Sequence, residues 1–103
     1  MYGTVAHLHV KPGMEAAFHD WMRSEVGEYA AAPGLIEVHL YRMDSDDHHW
    51  IMAVLFTDRA AYIANAQRPE QHTIYLQMRR CLDRDPEWYD GEVAYTTAQQ
   101  GAR

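Results

Sequence analysis

The sequence predicts an α+β domain with a four-stranded antiparallel sheet, and three observations predict it. Four stretches read as strands, and the two segments between them that are not turns carry helical periodicity. Their order is strand, helix, strand, strand, broken helix, strand, which is the split βαβ motif. The third strand is apolar on both faces, so both faces need a cover, and two helices supply only one.

The elements follow in order. Tyr2 to Val10 is the first strand, with Thr4, Ala6, Leu8 and Val10 on one face and Val5, His7 and His9 on the other. Lys11-Pro12-Gly13 breaks it. Met14, Ala17, Phe18, Trp21, Met22, Val26 and Tyr29 then recur at helical spacing, Ala30 to Ala32 extend the helix, and Pro33-Gly34 ends it. Leu35 to Met43 is a second strand whose aliphatic row is Ile36, Val38 and Leu40. The polar turn Asp44-Ser45-Asp46-Asp47 leads into a third strand, His48 to Phe56, with rows Ile51, Ala53, Leu55 and Trp50, Met52, Val54, Phe56. A four-residue turn sets Tyr41 opposite Trp50 and His39 opposite Met52. Tyr41, Trp50 and Phe56 then share a face, and His39 and His49 point to opposite faces.

Thr57 or Asp58 caps a short helix over Arg59 to Gln67, and Pro69 starts another. Ile74, Tyr75, Met78, Cys81 and Leu82 give that second piece its stripe, and Asp85-Pro86 stops it. Trp88 to Tyr95 is the last strand, with Gly91 a possible bulge. The whole is ferredoxin-like βαββαβ: one domain over 1–98 and a tail over 99–103. The uncovered sheet face calls for a second sheet, supplied most simply by a second copy of the chain.

Composition narrows the function. A chain of 103 residues makes one domain. A net charge of −6, with its basic residues scattered, argues against nucleic acid or an anionic membrane as partner. One cysteine, Cys81, excludes an internal disulfide and reads as a buried hydrophobe. Neither a secretory signal nor a membrane-length apolar run occurs, which points to the cytoplasm.

Seven histidines invite a metal reading. Only the pair His7-x-His9 shares a face, whereas zinc or iron needs three or four converging ligands. The expectation is no metal; if His7 and His9 line an interface, their protonation weakens it between about pH 5 and 7. No Gly-rich phosphate loop and no Gly-x-Ser-x-Gly elbow exists. Glu37 is the one carboxylate on a covered strand and reads as an ion-pair partner before a base. Tyr41, Trp50 and Phe56, with Tyr62 and Tyr75 on the following helices, either line an apolar pocket with polar tips or simply pack the core.

Val10-Lys11-Pro12-Gly13, Pro33-Gly34-Leu35, Phe56-Thr57-Asp58 followed by Ala61-Tyr62, and the closing Pro86-Glu87-Trp88-Tyr89-Asp90-Gly91-Glu92 resemble antibiotic biosynthesis monooxygenase-like (ABM) domains. The resemblance spans Tyr2 to Tyr95. It implies a dimeric α+β barrel with a pocket in each subunit between sheet and helices. Members that oxidise aromatic polyketides without a cofactor use Asn on strand three, Trp at its end and Tyr in the next helix. Here those positions are Met52, Phe56 and Tyr62, so only the tyrosine matches. Haem-degrading relatives use Asn on strand one with Trp and His on the second helix. Asn65, the only asparagine, is not on a strand, His72 lies near the expected histidine, and no tryptophan sits in that helix.

Three readings remain. The first is a cofactor-independent monooxygenase or related oxidoreductase acting on a small aromatic or quinol-like compound, with Tyr62 and His72 catalytic and Trp50, Met52, Phe56 and Tyr75 binding substrate. The second is a non-catalytic small-molecule-binding or regulatory homodimer. The third, resting on the histidines alone, is a haem-binding protein.

Overall fold

The computed structural model describes residues 1–30 and 32–97, with the backbone alone over 25–30. Strands β1 (Tyr2–His9), β2 (Leu35–Arg42), β3 (His49–Phe56) and β4 (Glu87–Glu92) form one antiparallel sheet in the order β2-β3-β1-β4. Helices α1 (Glu15–Ala30), α2 (Arg59–Ala66) and α3 (Pro69–Arg79) cover one face. This is the expected ferredoxin-like α+β fold.

Alternation along the two central strands decides which face the helices cover. Ala6, Leu8 and Val10 with Trp50, Met52, Val54 and Phe56 are buried and form the core with Phe18 and Met22 of α1 and Met78 of α3. Met52 and Phe56 therefore face the helices and not the open side. Ile51, Ala53 and Leu55 turn the other way, together with Val5, His7 and His9, onto a face that no helix covers. Trp21 Nε1 donates to Gln77 Oε1 at 2.9 Å and ties α1 to α3.

The hairpin register differs from expectation by one residue. Tyr41 pairs with Ile51 and His39 with Ala53, while Leu40 pairs with Met52 and Arg42 with Trp50. The cause is a longer loop. The Met43 N–H donates to the His49 carbonyl at 3.0 Å, and the Asp46 carboxylate accepts the His48 N–H at 2.9 Å, so His48 belongs to the turn and not to β3. A one-residue slip moves a side chain to the other face. Tyr41, 52% exposed, therefore lies opposite to Trp50 and Phe56, and His39 shares the open face with His49.

Three further expectations are corrected. The β2–β3 register jumps between Leu35 and Glu37, so Ile36 is the extra residue of a bulge, and Leu35 packs on the core with Val38 and Leu40 instead. Gly91 pairs regularly with Gly3, and β4 ends at Glu92, leaving Tyr95 beyond it, highly exposed. α3 stops at Arg79, because the chain after it finds hydrogen bonds on the end of β1: Lys11 N–H to the Cys81 carbonyl at 2.8 Å and Asp83 N–H to the His9 carbonyl at 2.9 Å. Cys81 and Leu82 thus follow the helix instead of ending it, Leu82 bridging to Val10, and both are buried in the core with Phe18 and Met78. Val26, Tyr29 and the tail 99–103 lie outside the side chains and residues described.

Gly34 joins α1 to β2 at φ +83°, a conformation L side chains rarely adopt. A Cβ there would also meet the Ala61 Cβ at 2.6 Å, so the turn is packed against α2. Asp58 starts α2 by accepting the Ala61 N–H on Oδ1 at 2.8 Å, and Pro69 opens α3 at a position where its missing N–H costs nothing.

Candidate functional site

Thr4, Val54 and Asp90 are adjacent across β3, β1 and β4, because Thr4 pairs with both of the others. Phe56 and Trp88 flank this row on the helix side. Above it, α2 presents Tyr62, Asn65 and Ala66 at i, i+3 and i+4, one helical face, and α3 adds Gln71. Together they enclose a cleft of about 290 Å³ between the sheet and the broken helix.

The Tyr62 ring is fixed by Phe56, edge-on at 5.7 Å, and by Tyr2 at 5.2 Å. Its hydroxyl donates to Asp90 Oδ1 at 3.0 Å. Burial, reinforced by the hydrogen bond and charge of Asp90, pushes the phenol up to about 12. At neutral pH Tyr62 is therefore a hydrogen-bond donor and not a base. Asn65 is buried; its Nδ2 donates to Gln71 Oε1 at 3.3 Å and its Oδ1 accepts from Arg68 Nη1 at 2.9 Å. The Thr4 hydroxyl bonds the Tyr89 carbonyl at 3.4 Å. The cleft thus joins an apolar body of Val54, Phe56 and Trp88 to a hydroxyl donor, a carboxylate and two amides.

Of the residues expected at the site, Phe56 and Tyr62 line the cleft. Met52 is fully buried in the core and Tyr75 packs on that core; neither lines the cleft. Trp50 lines a different cleft, and His72 is exposed on α3, with its neighbour Gln71 turned inward in its place. Thr4, Asn65, Gln71, Trp88 and Asp90 were not anticipated. The i, i+3 spacing of Tyr62 and Asn65 was a usable signal, but the convergence of β4 on α2 was not.

The open face gathers four of the seven histidines, His7, His9, His39 and His49. His49 lies between His7 and His9, with ring centroids 5.0 and 4.9 Å away, and His7 Nδ1 approaches His49 Nε2 at 2.8 Å. Tyr89 meets His7 edge-on at 5.6 Å. Among the described residues no group of three or more His, Cys, Asp or Glu is arranged to hold a metal ion. Glu37 is half-exposed and lies 3.4 Å from His39. Burial pushes the Cys81 thiol up. No described helix is long and apolar enough to cross a membrane.

These features define a ferredoxin-like α+β domain with a polar-tipped apolar cleft of small-molecule size beneath α2 and α3. The chain belongs to the antibiotic biosynthesis monooxygenase family, whose model matches residues 1–75. Its fold is similar to that of SnoaB, a cofactor-independent oxygenase from Streptomyces nogalater, at 19% identity over 93% of this chain and 95% of that one, with a TM-score of 0.82. A conserved protein from Methanosarcina mazei is similar at 20% identity over 87% and 89%, TM-score 0.79. A Nitrosomonas europaea protein of unknown function is similar at 18% over 94% and 92%, TM-score 0.79. No curated protein sequence matches the chain.

Proposed function

We propose that this protein is a cofactor-independent monooxygenase of a small phenolic or quinol-like aromatic compound, bound in the Tyr62–Asp90 cleft. The observation that carries the reading is a tyrosine held protonated 3.0 Å from a carboxylate at the mouth of an apolar cleft. Val54, Phe56 and Trp88 hold the ring. Asp90 accepts the proton that the substrate gives up, and the Tyr62 hydroxyl donates to the oxygen on which negative charge develops. The resulting anion is electron-rich enough to reduce O2 itself. An activated ring CH2 becomes C=O, one oxygen atom enters the product and the other leaves as water, so the step needs no further reductant. The activity of SnoaB agrees with this reading, although the likeness alone speaks for the fold. His72, exposed and off the cleft, has no part in it.

A homodimer in the cytoplasm is part of the proposal. Val5, Ile51, Ala53, Leu55 and Tyr89 give the open sheet face an apolar surface, and a second sheet covers such a surface over its whole length. The family's dimeric architecture supports the same arrangement.

The test uses anthrone, a tricyclic ketone with one activated CH2, in an oxygen electrode. The expected result is one O2 consumed per quinone formed, with Asp90→Asn slower by about 10²-fold. Tyr62→Phe should weaken binding by roughly 1–2 kcal/mol. A second reading, a non-catalytic binding domain, is favoured by Met52 and Phe56 standing where the oxidising members carry Asn and Trp. Saturable binding with no acceleration over the uncatalysed reaction would decide for it.

A further inference from the structure

A second cleft, sharing no residue with the first, opens between α1 and the edge strand β2. Its volume is about 410 Å³, within the range that small molecules occupy. Val38, Leu40 and the Trp50 indole form its floor and Met22 its wall, so its interior is apolar. Its rim is cationic: Arg23 from α1 and Arg42 from β2, with His19 beside them.

The floor is rigid. Trp50 packs edge-on against the buried Phe18 at 5.3 Å, and its indole N–H is spent on the Asp47 carbonyl at 2.7 Å. Trp50 is only 3% exposed, so a narrow margin of its ring reaches the cleft. The Arg42 guanidinium stands over the ring, 5.9 Å from its centroid, a cation–π placement that holds a long side chain at the rim. Its fork of N–H donors is not thereby consumed.

The pairing of the arginines differs among the described residues. Arg68, Arg79 and Arg84 each lie within ion-pair distance of a carboxylate. Among the described residues Arg23 and Arg42 have no such partner. In a chain with only nine Lys and Arg and a net charge of −6, two guanidinium groups without a carboxylate partner among the described residues edge one apolar cleft.

We infer that this second cleft is a binding site for a small carboxylate with an aromatic or aliphatic body. The body lies against Val38 and Leu40, beside the margin of the Trp50 ring that Arg42 overhangs. The carboxylate meets the rim, where the planar guanidinium fork matches its two oxygens. An uncharged aromatic would gain the floor and lose the rim; a small inorganic anion would gain the rim and lose the floor.

The probes are 2-naphthoate and its uncharged analogue 2-naphthol, titrated into the full chain and followed by two-dimensional NMR of the tryptophan indole N–H signals, assigned with Trp50→Phe. Naphthoate should shift the Trp50 signal saturably and leave that of Trp88, which lines the other cleft, in place. Naphthol should bind at least about tenfold more weakly, the scale of one charge-assisted interaction lost. Arg42→Gln should cost a similar factor. Because that change also removes the contact with Trp50, Arg23→Gln, which does not stack on the ring, should weaken binding severalfold on its own. Absence of saturable naphthoate binding up to millimolar concentration overturns the inference. So do equal affinities for naphthoate and naphthol, unchanged affinity in both arginine variants, or shifts confined to Trp88.

Discussion

Replacing Asp90 by Asn tests the central electrostatic feature of the candidate site. Tyr62 titrates at about 12 instead of the ordinary 10.0, and the causes are burial first and then the Asp90 hydrogen bond and charge. Asparagine keeps the shape and the burial but removes the negative charge that penalises a phenolate 3.0 Å away. The expected result is a fall of about one pH unit, each unit being 1.36 kcal/mol of differential interaction. The chain has seven tyrosines, so the phenolate absorbance of Tyr62 is isolated by subtracting the titration of Tyr62→Phe. The sign also bears on stability. A folded-state value above the unfolded one means that the contribution is fully present below pH 10 and is lost as pH rises towards 12. Tyr62 is partly open to solvent, so that contribution is on the order of 1 kcal/mol or less after screening. If the late-titrating tyrosine persists in Tyr62→Phe, or Asp90→Asn titrates as late as the wild type, the coupling of the two groups is refuted, and with it their assignment as donor and base.

Three other outcomes are expected. Gly34→Ala should lower stability in urea by about 2 kcal/mol or more, because it adds a left-handed non-glycine residue to a collision with Ala61; an unchanged midpoint would mean that the α1–β2 turn readily rearranges. Met52→Ala should cost about 2–5 kcal/mol, as a fully buried core truncation, while leaving the cleft's ligand affinity intact, since Met52 does not line it. Light scattering at micromolar concentration should give twice the 12.0 kDa chain mass. A monomer would leave the apolar face of Val5, Ile51, Ala53 and Leu55 without its proposed cover.

Much of this protein was legible in its sequence because the signals were local. Period two in Thr4–Val10 and period 3.6 in Met14–Met22 announced β1 and α1. Pro33-Gly34, Asp58 and Pro69 marked ends and starts through backbone geometry that those residues impose by themselves. The doubly apolar row of β3 announced that the sheet is apolar on both faces, of which the helices cover one. A glimpse of the cleft was also available, since Phe56 and Tyr62 stand at the end of β3 and on the helix that follows.

What only the tertiary structure decided depended on distance through space. One extra residue in the Met43–His48 turn moved Tyr41 away from Trp50 and brought His39 and His49 to a common face, because strand side chains alternate and a slip of one reverses them. Asp90 lies 28 residues from Tyr62 and reaches it only because β4 pairs with β1 at the sheet edge beneath α2. On α3, a rotation of one residue exchanged His72 for Gln71 at the cleft. Trp50 and Phe56 share a face yet serve separate clefts, since three helices divide the surface above a sheet that a periodicity treats as one.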